Sequence, residues 1–189
     1  APIKPLFADY DGDGDLDAYI VTNRLEPKRP TKIRYTGKPG AYGVAPEHQE
    51  LAMVINLPDG EQKFAKAGQF DRLLRNETVK GQVRFVDATK EAGITGNFHG
   101  LDGCWWDPDS DGHPDLYITN DFTDPDQFFR NNGDGTFSDV TQARLPCTPW
   151  FAMGCDVGDL NNDGLFDLLA ADMAGTTHYR EKIAMGSMD

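Results

Sequence analysis

The chain holds 189 residues, with 31 Asp and Glu against 18 Lys and Arg and a net charge of −13. That length can bury a sizeable single-domain core, and no apolar run approaches the roughly 18 residues of a membrane span. No nucleic-acid partner is expected of so acidic a chain, and 20 glycines with 12 prolines fit a loop-rich β protein rather than a helical bundle.

The opening residues, Ala1-Pro2-Ile3-Lys4, are neither a signal peptide nor an obvious start site, so a leader removed or lying upstream is expected. Asp9 to Asp17 then reads DYDGDGDLD, with carboxylates at positions 1, 3, 5 and 9 and glycine at position 6. Ala18-Tyr19-Ile20-Val21-Thr22-Asn23 follows, a short β-branched and aromatic run that predicts a strand.

Residues 24–68 read as an insertion. Its first part sets Arg24, Lys28, Arg29, Lys32, Arg34 and Lys38 against one acid, Glu26, a local reversal of sign. Such a patch suits an acidic partner, a sulfated or uronic polysaccharide, or the protein's own acidic surface; a solvated Pro/Gly excursion is the plainer reading. Pro46 to Met53 predicts a short helix with proline in its first turn. Ile55-Asn56-Leu57 and Gln62-Lys63-Phe64, bridged by Pro58-Asp59-Gly60, predict a hairpin.

Asp71-Arg72-Leu73-Leu74-Arg75-Asn76 returns later as Asp126-Gln127-Phe128-Phe129-Arg130-Asn131. Each leads through a turn into a predicted strand, Val83 to Thr89 and Thr136 to Thr141. The second turn, Asn131 to Gly135, has the composition of a tight hairpin, whereas Glu77 to Gly81 predicts a longer one. The acidic pattern also returns, as DPDSDGHPD (Asp107 to Asp115) and DLNNDGLFD (Asp159 to Asp167). Leu116 to Asn120 and Leu168 to Asp172 follow as further short apolar strands.

The three loops begin at residues 9, 107 and 159, hence 98 and 52 residues apart. The excess in the first interval is the insertion. Short strands repeating every 50 or so residues predict propeller blades. Three units fall short of the 4–8 blades that typically close a ring. The expected fold is therefore all-β, with repeats over 1–23 and 69–189 forming part of a larger propeller.

Hard cations such as Ca²⁺ take about six to eight oxygen ligands, and a short loop supplies them only by turning sharply. Glycine at position 6 allows that turn. An EF-hand is excluded, because position 12 is Ile20, Ile118 or Ala170 rather than glutamate. Carboxylates crowded without a cation repel one another, so folding is expected to depend on the ion. The third loop, with Asn161 in place of an acid, is expected to bind most weakly. Solvated Asp/Gly turns are the bland alternative.

Cys104, Cys147 and Cys155 are too few for a disulfide scaffold and too widely spaced for a zinc knuckle. Cys147 and Cys155 are near enough in sequence to pair, leaving Cys104 over. A buried small hydrophobe is the expected role for at least one. His48, His99, His113 and His178 have no metal-site spacing. Trp105, Trp106 and Trp150 suit packing between blades better than stacking on sugars. No nucleophile elbow, phosphate loop or Cys/His arrangement is present, so no catalytic residue is assigned.

The phrases Ala8 to Asp17, Phe129 to Phe137 and Asp139-Val140-Thr141 resemble FG-GAP/VCBS repeats, found in integrin-α-type β-propellers and secreted bacterial proteins. Within that group the chain is most similar to ASPIC/UnbV-associated, cartilage-acidic-protein-like proteins. That finer likeness is carried by Trp105-Trp106-Asp107, Tyr117 to Phe122, Thr148 to Gly154 and the tail from Asp172 to Gly186. The resemblance implies a seven-bladed ring with Ca²⁺ in hairpin loops. The side-chain ligands it implies are Asp9, Asp11, Asp13 and Asp17; Asp107, Asp109, Asp111 and Asp115; and Asp159, Asn161, Asp163 and Asp167. Asp15, His113 and Leu165, at position 7, would ligate through their carbonyls.

The expected function is a calcium-binding, non-catalytic module outside the cytoplasm, serving protein or carbohydrate binding, adhesion or assembly. The remaining blades would come from the same longer protein or from a partner chain. The alternative is the propeller portion of a secreted polysaccharide-acting or redox enzyme, with its catalytic residues elsewhere.

Overall fold

A computed structural model of the chain describes residues 2–23, 32–49, 51–56, 60–121, 124–145, 147–149 and 151–173. Strands β1 (Pro2–Ala8) and β2 (Asp17–Thr22) form an antiparallel hairpin round the first acidic loop. The insertion follows, with hairpin β3 (Tyr35–Lys38) and β4 (Ala41–Val44), then hairpin β5 (Ala52–Asn56) and β6 (Gln62–Lys66). Strands β7 (Arg72–Asn76) and β8 (Phe85–Asp87) return to the first sheet, whose order is β1-β2-β7-β8.

The second unit repeats this plan without interruption. Strands β9 (Gly100–Trp106), β10 (Asp115–Asn120), β11 (Gln127–Asn131) and β12 (Phe137–Asp139) form a four-stranded antiparallel meander. Helix α1 (Thr141–Arg144) then leads to hairpin β13 (Ala152–Gly158) and β14 (Asp167–Asp172), round the third acidic loop. The fold is all-β, built of repeated antiparallel units of the propeller-blade kind.

The second strand of each full sheet is covered on both faces. All of β10 is buried and only Ile20 of β2 is partly exposed, which explains their Tyr-Ile-Val and Leu-Tyr-Ile runs. Main-chain pairing alone would leave them marginal; the core between the first two sheets stabilises them. Leu6, Tyr10, Tyr19, Val21, Leu73, Leu116, Ile118, Phe129 and Phe137 form that core. Each fully buried side chain contributes about 1.5–3 kcal/mol relative to exposure. Trp105 crosses the junction, edge-on to Tyr19 at 6.3 Å and tilted to Phe137 at 6.0 Å. Trp106 stacks on Phe128 at 5.1 Å. Trp105 packs between the sheets as the sequence suggests, Trp106 packs within its own sheet, and Trp150 lies outside the described residues.

Within each full sheet a carboxylate ties the second strand to the segment before the third. Asp71 accepts hydrogen bonds from the Tyr19 hydroxyl at 2.8 Å and the Thr22 N–H at 2.7 Å. Asp126 accepts the equivalent pair from Tyr117 and from Asn120 N–H. Leu169 replaces the tyrosine in the third unit and is 57% exposed, against 1% for Tyr19 and Tyr117.

The insertion departs from expectation in two places. Among the described residues of the predicted helix only Pro46–His48 is helical, as a 3₁₀ turn, and Ala52 and Met53 already belong to β5. Pairing of Val54 with Phe64 and of Met53 with Ala65 extends the predicted hairpin backward and leaves no room for an α-helix. The hairpin of β3 and β4 is an element the sequence reading missed; its Phe64 contact, 4.6 Å from Tyr35 and 5.5 Å from Tyr42, packs it on the next hairpin. The basic segment is described only from residue 32, where Arg34 pairs with Glu47.

Candidate metal-binding loops

Each acidic loop joins the first two strands of its unit, and one set of hydrogen bonds shapes all three. The position-1 carboxylate accepts the N–H of the position-6 glycine: Asp9 from Gly14 at 3.0 Å, Asp107 from Gly112 at 2.8 Å, Asp159 from Gly164 at 2.9 Å. The position-5 carboxylate accepts the N–H of position 7: Asp13 from Asp15, Asp111 from His113, and Asp163 from Leu165. Each loop therefore curls round its own carboxylates before any other partner is considered.

Glycine at position 6 has φ of 94°, 87° and 87° in the three loops, the left-handed region that side chains resist. Position 4 is left-handed too: Gly12 at 75°, Ser110 at 57° and Asn162 at 59°. The sequence reading singled out position 6 alone. The signal at position 4 was a small or amide residue each time, the kinds that tolerate this conformation.

Position 9 is buried in the first two loops and anchored from a distance. Asp17 accepts the N–H groups of Tyr10 at 3.2 Å and Asn76 at 2.7 Å. Asp115 accepts that of Asn131 at 2.8 Å. Burial pushes both carboxyls above their ordinary range, Asp115 to about 6. Asn76 and Asn131 also donate their side-chain amides to the position-8 carbonyls of Leu16 and Pro114. The repeated Arg-Asn ending thus positions the acidic loop, a role that spacing could not show.

The loops differ in how they gather their acids. Oxygens of Asp9, Asp11 and Asp17 lie within 4.8 Å of one another, as do those of Asp107, Asp109 and Asp111. Asp13 and Asp115 stand outside those two groups. Asp9 Oδ1 is buried with no hydrogen-bond partner. A buried carboxylate oxygen is costly to leave unpaired, so the residues of the first loop fit a cation. Burial, then the charge of Asp13, raises the Asp11 carboxyl.

In the second loop Arg130 donates to Asp109 at 3.1 Å and to Asp111 at 3.2 Å, placing a fixed positive charge among the acids. Arg75, its counterpart, pairs instead with Glu77 at 3.1 Å and Glu91 at 3.5 Å. In the third loop Asn161 turns its amide nitrogen to Asp163, 3.0 Å away. No three acids of that loop come within the same reach of one another among the described residues.

The three described histidines make structural contacts. His48 Nδ1 accepts the Arg34 N–H, and buried His99 pairs with Asp124 at 2.7 Å. His113 packs over Gly133, and His178 lies outside the described residues. Cys147 is exposed, while Cys104 and Cys155 are half-buried and close enough that each shifts the other's thiol, Cys104 down and Cys155 up. Sequence proximity suggested Cys147 with Cys155; all three are free thiols in this structure.

Among the described residues no helix is long and apolar enough to cross a membrane. No curated protein matches the chain. Residues 107–170, which run from the first aspartate of the second loop into the strand after the third, match the FG-GAP-like repeat family.

Proposed function

We propose that the chain is a calcium-binding propeller module of an extracytoplasmic protein, non-catalytic, serving protein or carbohydrate binding, adhesion or assembly. The observation that carries the reading is Asp9 Oδ1, buried and unpartnered beside Asp11 and Asp17. In the first loop Asp9, Asp11, Asp13 and Asp17, with the Asp15 carbonyl, would hold the ion. Asp107, Asp109, Asp111, Asp115 and the His113 carbonyl would serve the second loop. Asp159, Asn161, Asp163, Asp167 and the Leu165 carbonyl would serve the third.

When bound, Ca²⁺ supplies charge neutralisation and a rigid crosslink within each hairpin. The chain's own part is to hold the acids together in advance through the glycine N–H groups and the anchored aspartates. Extracellular calcium modules bind at roughly 10⁻⁴–10⁻³ M, so the ion acts where calcium is plentiful. Exposed apolar residues on the third hairpin, Met153 and Leu169 among them, suit cover by a further blade of the same longer protein or a partner chain. A seven-bladed ring of the ASPIC/UnbV-associated kind is the arrangement this favours.

Calcium titration followed by calorimetry, with thermal melts in calcium and in chelator, tests the reading. Saturation at about 100 times the dissociation constant stabilises by ~2.7 kcal/mol per independent site. The expected result is a large fall in melting temperature on chelation, reduced in Asp9→Asn. Identical melts with and without chelator, and no calorimetric binding, sink it.

A further inference from the structure

Strand β9 packs between β1 on one side and β13 on the other. The repeat register aligns Leu6, Cys104 and Asp156, which pair with Tyr19, Tyr117 and Leu169. The preceding position holds Pro5, Gly103 and Cys155, paired with Ile20, Ile118 and Ala170. Successive side chains on a strand face opposite sides of the sheet. The Leu6 position of one unit therefore faces the Gly103 position of the next. The first junction shows this contact directly: a Cβ on Gly103 would meet Leu6 Cδ1 at 2.8 Å. At the second junction the same two positions are Cys104 and Cys155.

A neighbouring pair supports the approach of these strands. Asp102 Oδ2 lies 3.2 Å from where a Cβ on Gly154 would stand. The same Asp102 pairs with Lys4 of the first sheet, so β1, β9 and β13 are held side by side. We propose that Cys104 and Cys155 form a disulfide joining the first strands of the second and third units. This inference is independent of calcium.

The step is a thiol–disulfide exchange with a small or protein disulfide, R–S–S–R, as oxidant. Cys104 is taken as the attacking sulfur, since the neighbouring Cys155 thiol holds the Cys104 thiol below the ordinary range. The Cys104 thiolate attacks R–S–S–R, forming a mixed disulfide and expelling R–S⁻. Cys155 then loses its proton and attacks the Cys104 sulfur, releasing the second R–S⁻. The two cysteines lose two electrons and two protons, and the oxidant leaves as two R–SH. Cys147, exposed and outside the pair, takes no part.

The test incubates the intact reduced chain with oxidised glutathione, alkylates remaining thiols under denaturing conditions, and maps peptides by mass spectrometry. The expected product carries a Cys104–Cys155 linked peptide two hydrogens lighter than its reduced parts, and its Cys147 is not linked to either. Cys147→Ser should crosslink as readily as the parent. Cys155→Ser should stop at a glutathione adduct on Cys104. Oxidation should also raise the melting temperature of the parent but not of Cys155→Ser. Full alkylation of Cys104 and Cys155 after oxidation, or an intramolecular linkage using Cys147, overturns the proposal.

Discussion

The Asn131 side-chain amide donates to the main-chain carbonyl of Tyr10 at 2.8 Å, a buried bond spanning 121 residues. It also donates to Pro114 in its own sheet, at 3.2 Å. One side chain therefore joins the first acidic loop to the second. Asn76, at the matching position, donates to Leu16 within its own sheet. Asn131→Ala should cost about 1–3 kcal/mol, because a buried carbonyl loses its partner, and Asn76→Ala should cost less. Urea unfolding of both variants checks the order; equal losses would show that the Tyr10 bond contributes nothing.

Arg130 should oppose calcium in the second loop. Its guanidinium already neutralises Asp109 and Asp111, and two like charges in one loop repel. Arg130→Gln should tighten binding at that loop about three- to tenfold, with the first loop unchanged. Calorimetric titration of parent and variant measures the difference, and an unaltered affinity rules the competition out.

The Asp71 carboxyl is pushed up to about 6 by burial, against its ordinary 3.8. A raised carboxyl favours the folded state when protonated, so its contribution is full below about pH 4 and lost as pH rises through about 6. The stability of the parent relative to Asp71→Asn should therefore fall by ~1–3 kcal/mol between pH 4 and pH 7. Denaturant curves of both proteins across that range decide it; parallel pH profiles would be the contrary result.

Gly68 should tolerate no side chain. A Cβ there would lie 1.7 Å from the Phe98 carbonyl oxygen, an overlap only main-chain movement could relieve. Gly158, with open space where its Cβ would stand and no left-handed backbone, is the control. Gly68→Ala should destabilise by about 1–3 kcal/mol or more, and Gly158→Ala by little. Melting temperatures of the pair are sufficient to tell.

The strands and acidic loops were legible because their signals are local. Glycine at position 6, the β-branched runs after each loop and the returning Arg-Asn ending all lie within a few residues of what they specify. The misses share a different cause. Asp71 meets Tyr19 across 52 residues and Asn131 meets Tyr10 across 121, so no window of sequence contains both partners. The proposed pairing of Cys155 with Cys104 rests on the register of neighbouring sheets, whereas proximity along the chain suggested Cys147. Proline at residue 46 did mark a helical turn, but hairpin pairing from Ala52 onward overrode its extension. Arg130 in the second loop follows from the repeat once β11 is aligned beside β10, yet its charge gave no warning in the linear pattern.

Strand β2 begins at Asp17, where the acidic loop closes, and ends at Thr22, where the insertion departs. The acidic loop and the inserted hairpins thus occupy opposite rims of the first sheet. Lengthening, trimming or exchanging the insertion changes one rim without shifting the pairing that sets the other. The architecture can acquire a new surface there while the end that carries the acidic loop stays as it was.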